Sequence, residues 1–180
     1  LQALLPMLSG EASSVDGQAV TSHGSLDVDA PAPQVLVAAL GPKMLELAGR
    51  VADGTVTWLV GPNTLASHIV PSINRSAEAA DRPAPQIAAG LPVCVTDNPE
   101  KARERAAEML IMYGGLPSYR AMLDREGASG PEDIAVIGSA AEVADRLAGV
   151  SESGVTTIAA SEFGNPDELA ATRDVLVSLL

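Results

Sequence analysis

Residue types suited to chemistry are most concentrated where an apolar run gives way to glycine, proline and lysine, at Ala38-Ala39-Leu40-Gly41-Pro42-Lys43. A buried strand ending here and turning through Gly41 into a helix offers free N–H groups at the positive end of the helix dipole. Glycine also lets the backbone come close to a ligand. Such a junction suits a phosphate, with Lys43 adding charge, although a plain strand-to-helix turn uses the same Gly-Pro pair. Neither a G-x-G-x-x-G fingerprint nor a P-loop occurs, so the dinucleotide and P-loop readings fail. Trp58, the sole tryptophan, lies near the end of an apolar strand, placed to stack on a flat cofactor or to pack helix against sheet. Cys94 sits in an apolar strand without a basic neighbour and reads as a buried, inert thiol. His23 and His68 have no carboxylate or serine at a triad-like spacing and read as surface or capping residues. Glu132, Asp133, Asp167 and Glu168 fall in loops and first helical turns, where they suit helix dipoles. No catalytic residue is identifiable.

The elements that position these residues alternate. Val35–Leu40 is an unbroken apolar run, as a strand buried on both faces should be. Pro42 opens a helix with apolar residues at helical spacing, and Gly54 stops it. Thr55–Val60 is the second strand, followed by a helical stretch that Pro71 should interrupt. Gln86–Val95 is the third strand, with Gly90 and Pro92 marking a bulge or an end. Asp97 caps the helix that begins at Pro99 and breaks at Gly114-Gly115. Pro117–Glu126 reads as helix, and 127–131 as loop. Ser139 and Glu142 form a capping box, Val155–Ala160 is the fourth strand, and a helix starting at Asn165-Pro166 runs to the end. Residues 1–32 carry no strong periodicity and read as an irregular lead-in. Within them, Leu1–Leu8 resembles the end of a helix begun elsewhere, and the chain reads as a fragment.

Residues 33–180 thus hold four strand–helix units, which implies a parallel sheet with right-handed crossovers. Eight such units need roughly 300 residues. The chain has room for half of a (β/α)₈ barrel or for a small open α/β sheet.

Composition narrows the function. The 180 residues carry 11 Lys+Arg against 23 Asp+Glu, a net charge of −12, with 47% apolar and 2% aromatic residues. Such acidity, with so few stacking side chains, argues against nucleic acid. No apolar run reaches membrane-spanning length. One cysteine excludes a disulfide framework, and two distant histidines exclude a Cys/His zinc site. The expectation is a cytoplasmic protein that handles a small-molecule substrate without a metal.

The run VLVAALGPKMLELAGRVADG from Val35 to Gly54, continued by Thr55-Val-Thr-Trp58, resembles the luciferase-like monooxygenase superfamily. Its branch of oxidoreductases using the deazaflavin coenzyme F(420) is the most similar. GLPVCVTD (90–97) and LPSYRAMLDREG (116–127) resemble the same branch. The resemblance implies the C-terminal half of a TIM barrel, with Val35–Leu40, Thr55–Val60, Gln86–Val95 and Val155–Ala160 as strands five to eight. It also implies that Ala39, Leu40, Gly41, Pro42 and Lys43 receive the cofactor phosphate, Pro42 by shape alone, and that Trp58 borders the ring. Catalytic residues are expected in the first four strands. The implied reaction of the intact protein is hydride transfer between F(420) and an organic substrate; an FMN-dependent monooxygenase or a non-catalytic half-barrel are the alternatives. The isolated chain is expected to be inactive, and its two sheet edges suggest a homodimer.

Overall fold

Ten consecutive residues, Gln86–Val95, form the central strand of the larger unit, and all but the first are buried. A computed structural model describes residues 1–27 and 30–180 of the chain, which divide into two units, Leu1–Val35 and Leu36–Leu180. The first unit contains helix α1 (Leu4–Leu8) and an antiparallel hairpin of β1 (Ser13–Asp16) and β2 (Thr21–Gly24). Sequence reading predicts an irregular lead-in here. The strands are joined by a four-residue loop, 17–20, closed by the Gly17 N–H donating to the Val20 carbonyl at 3.0 Å, a longer hairpin loop with no strong local signal. His23 faces Asp16 across the hairpin at 2.9 Å in an exposed pair.

The second unit is a parallel sheet of β3 (Leu36–Ala38), β4 (Gly54–Trp58), β5 (Gln86–Val95), β6 (Val136–Gly138) and β7 (Thr157–Glu162). Val93 is in register with both Val136 and Glu162, so β6 and β7 must lie on opposite edges of β5. β4 and β6 therefore share one edge end to end. Pro92 falls between their registers, Trp58↔Gly90 and Val93↔Val136, where its missing N–H breaks no ladder bond. The strand continues through Gly90 and Pro92 without the expected bulge.

Seven α-helices are described in the unit: α2 (Pro42–Val51), α3 (Pro62–Thr64), α4 (Val70–Ala79), α5 (Pro99–Gly114), α6 (Pro117–Glu126), α7 (Ala140–Glu152) and α8 (Pro166–Ser178). α3 and α4 are joined by a π-helical turn, Leu65–Ile69, so the helical run passes through Pro71 rather than breaking there. A wider turn just before a proline relieves the clash between its ring and the preceding turn. Two caps follow the sequence reading: Ser139 with Glu142 on α7, and Asn165 on α8. On α5 the cap is Asn98, which accepts from the Lys101 N–H, rather than Asp97.

Side chains of Ile87, Ala89, Leu91 and Val93 meet Leu45, Ile73 and Leu147 in one hydrophobic core on the helix-covered face. The opposite face carries small residues, and Ala38, Thr157, Ala159 and Ser161 on it are exposed. α5 and α6 form an excursion at the C-terminal ends of the strands. Arg105 on α5 reaches Glu168 at the start of α8 at 2.8 Å, while Glu126 on α6 reaches the start of α3.

Candidate functional site

The ends of β3 and β4 meet beneath α6 of that excursion. β3 ends at Ala38; Ala39 is buried, and Gly41 leads in extended conformation (φ −82°) into α2 with Pro42 as its first residue. The Met44 and Leu45 N–H groups turn back to the Gly41 carbonyl at 3.1 and 3.0 Å. Among the described residues the N–H groups of Gly41 and Lys43 have no partner, no acidic residue occupies the first turn, and no side chain caps it. Gly41 needs no left-handed backbone, and a Cβ there would meet nothing within 4 Å. The turn is therefore open where a side chain would stand.

Trp58 closes β4 and lies on the sheet's open face over Gly90; a Cβ on Gly90 would stand 2.9 Å from Trp58 Cε3. Its ring meets Tyr113 edge-on at 6.5 Å between centroids, and Tyr113 meets Tyr119 at 4.9 Å. The indole N–H is buried and has no hydrogen-bond partner, an unusual and costly state for a donor. The next residue, Leu59, is buried with φ +57°, a left-handed backbone that a branched aliphatic side chain rarely adopts, and donates to the Gly90 carbonyl at 3.1 Å. Strain of this sort costs on the order of 1–3 kcal/mol and clusters at functional sites. A groove of about 280 Å³ runs between these strand ends, lined by Ala38–Leu40, Val56–Trp58, Ser118 and Tyr119. Burial, and secondarily Tyr113, pushes the Tyr119 hydroxyl above its ordinary pKa.

Of the six residues singled out from sequence, the fold brings Ala39, Leu40 and Trp58 into one groove. Gly41 and Lys43 stand beside it at the head of α2, and Pro42 lines a separate hollow with Glu46, Arg50 and Arg75. Three further residues belong to the site: sequence reading passes over Tyr113 and Tyr119 and takes His68 for a surface or capping residue. Tyr113 and Tyr119 complete the aromatic cluster. His68, on the π-helical turn, bonds through Nε2 to the Leu40 carbonyl at 2.9 Å. Glu126 accepts from the Asn63 and Thr64 N–H groups at 3.1 and 2.7 Å, so its carboxylate already fills the head of α3, whereas the head of α2 has no such occupant. Their partners lie far away in the chain, and no local pattern announces them.

Cys94 is buried beside Glu168, its thiol pushed up to about 11 first by burial and then by that carboxylate. It is no nucleophile at neutral pH. Asp133 binds Arg103 at 3.1 Å, and Glu168 accepts from the Thr96 hydroxyl and Arg105, both at 2.8 Å; each carboxylate has structural work. Among the described residues no group of three or more His, Cys, Asp or Glu is placed to hold a metal ion. Nor is any helix long and apolar enough to cross a membrane.

Known proteins share this architecture. The 5,10-methylenetetrahydromethanopterin reductase of Methanolobus tindarius is 27% identical over 185 aligned positions, covering 99% of this chain and 56% of the relative. The coenzyme F(420)-dependent tetrahydromethanopterin reductase of Methanopyrus kandleri superposes with a TM-score of 0.73 at 21% identity, covering 95% of this chain and 58% of that one. The oxygenating constituent of the 3,6-diketocamphane monooxygenase of Pseudomonas putida, solved in complex with FMN, superposes at 0.65 and 14% identity, covering 94% and 56%. The chain thus spans little more than half the length of these relatives. The parallel sheet with its helices is consistent with the TIM-barrel fold of their family. Residues 1–157 match the family profile, and the chain belongs to the luciferase-like monooxygenase family.

Proposed function

We propose that this chain is the coenzyme-cradling C-terminal half of a luciferase-like (β/α)₈ barrel, strands five to eight, and that the intact protein transfers a hydride between coenzyme F(420) and an organic substrate. The observation that carries this reading is the uncapped head of α2, with the Gly41 and Lys43 N–H groups left open beside the groove that Trp58 lines. Both N–H groups are donors left without acceptors, and a ligand whose phosphate meets them while its ring lies in the groove supplies those acceptors. The residues present fit such a ligand. Gly41 and Lys43 would bind the phosphate through backbone N–H groups, Lys43 would add its charge, and Pro42 would fix the turn. Ala39 and Leu40 would floor the groove, and Trp58 would border the ring and exclude water. A bound deazaflavin supplies the hydride chemistry; the chain supplies binding and orientation. The groups that meet the substrate are assigned to the other half of the barrel, so the isolated chain should be inactive and bind coenzyme only weakly.

F(420) is favoured because the relative aligned over nearly the whole chain is a 5,10-methylenetetrahydromethanopterin reductase, and the solved reductase is named as F(420)-dependent. The FMN-bound monooxygenase of the same fold supports a second reading, an FMN-dependent oxygenase. We also assign the protein a cytoplasmic place and no nucleic-acid or membrane partner. Among the described residues β3 and β7 each pair on one side only, which favours a homodimer of the isolated chain.

Amide NMR tests the cradle. Adding F(420) to roughly millimolar concentration should move the Gly41 and Lys43 amides and the single indole resonance together. A parallel titration with FMN decides between the coenzymes. Resonances that stay in place with both, or that move only elsewhere, overturn the reading.

A further inference from the structure

We propose that His68 is a positioning residue that aims the Gly41 N–H at the ligand phosphate; this rests on the cradle proposed above. The argument begins with the peptide plane. All described peptide bonds are trans, so the Leu40 carbonyl and the Gly41 N–H lie on opposite sides of one rigid unit and point in opposite directions. Fixing the carbonyl fixes the N–H. His68 Nε2 lies 2.9 Å from the Leu40 oxygen, and because a carbonyl only accepts, Nε2 carries the proton and donates it. No other described group bonds to that oxygen.

The Gly41 peptide needs such an anchor. Glycine is the least constrained residue, its Cβ position is empty, and no side chain caps the helix that follows. An unanchored plane would rotate, and the N–H would point at a ligand for only part of the time. The imidazole that holds it comes from another strand–helix unit, 28 residues along, on the π-helical turn between α3 and α4. Turns of this type are uncommon and recur at functional sites. This one packs Leu65 and Ile69 into the core while its half-buried His68 faces the β3–α2 junction. The turn is thus explained by what it presents as well as by the Pro71 ring that follows it.

Two variants of the chain test this. His68→Phe keeps the ring volume and removes the donor; His68→Gln restores an N–H at similar reach. Without coenzyme, His68→Phe should shift the Leu40 carbonyl carbon and the Gly41 amide resonances, and His68→Gln should return both towards their original places. With F(420), His68→Phe should weaken binding about five-fold, the worth of one ordinary hydrogen bond, and His68→Gln should recover it. A residue that merely packs would be replaced by phenylalanine and not rescued by glutamine. Leu40 and Gly41 resonances unmoved in His68→Phe overturn the inference, as does unchanged affinity. A parent chain indifferent to both coenzymes overturns the cradle itself; the coenzyme-free measurement tells that failure apart from a failure of His68.

Discussion

Gly90→Ala probes the contact on which the Trp58 site is built, and it should destabilise the fold by about 1–3 kcal/mol, the usual cost of overpacking a filled site. The added Cβ would lie 2.7 Å from the Thr57 carbonyl oxygen and 2.9 Å from Trp58 Cε3. The first neighbour is backbone of the paired strand. Leu59 N–H also bonds the Gly90 carbonyl, so the strands cannot slide apart without losing ladder contacts. Relief has to come from spreading β4 from β5 and tilting the indole off the strand. With a urea dependence of about 2 kcal/mol/M, the unfolding midpoint should fall by roughly 0.5–1.5 M. As the only tryptophan, Trp58 reports on this place alone, and its native emission should change in the same variant. Gly149→Ala, in the interior of α7, is the control: its Cβ would meet nothing within 4 Å, and exchanging a helical glycine for alanine should stabilise by about 0.5–1 kcal/mol. Urea unfolding followed by circular dichroism and by fluorescence measures both. A Gly90→Ala midpoint within about 0.2 M of the parent, with unchanged emission, would refute the claim that Gly90 is there to seat the indole.

Two other outcomes concern Cys94 and the neighbouring Glu168. Cys94 should not react with a disulfide reagent at pH 8 in the native chain and should react fully in guanidinium, because its thiol is buried and pushed up to about 11; fast native labelling contradicts that placement. Glu168 titrates below the ordinary glutamate range: burial pushes it up, but the Asn165 N–H, the Thr96 hydroxyl and Arg105 together outweigh burial. A depressed folded pKa stabilises above the unfolded value, near 4.3, and that stabilisation is lost as pH falls through the folded pKa. The urea-midpoint advantage of the parent over Glu168→Gln should be full at pH 7 and shrink below about pH 4.3; a gap independent of pH would contradict the assignment.

Much of the α/β order was legible because it rests on local patterns. The run Gln86–Val95 is strand over its full predicted length, since a strand buried on both faces must be apolar throughout. The Ser139–Glu142 box and the Asn165 cap are also local, each settled within four residues. So is the α2 head, where Gly41-Pro42 fixes both the turn and its lack of a cap.

Other features were decided by distant contacts. β6 is three residues long and pairs only because the far end of β5 leaves an edge vacant beyond β4. Pro71 does not stop its helix, since Leu65, Ile69 and Ile73 are all fully buried and hold the run against the sheet through a widened turn. Gly90 reads as a bulge until the indole that covers it is in view. Tyr113 and Tyr119 join the site through ring contacts with Trp58 and with each other, and His68 joins it through Leu40, 28 residues away. The sequence by itself determined most of the strands and helices beyond residue 35 and that an uncapped Gly-Pro turn follows β3, because hydrophobic period and capping act over a few residues. Only the tertiary structure decided which side chains surround that turn, because hydrogen bonds and ring contacts depend on where the crossovers return the chain.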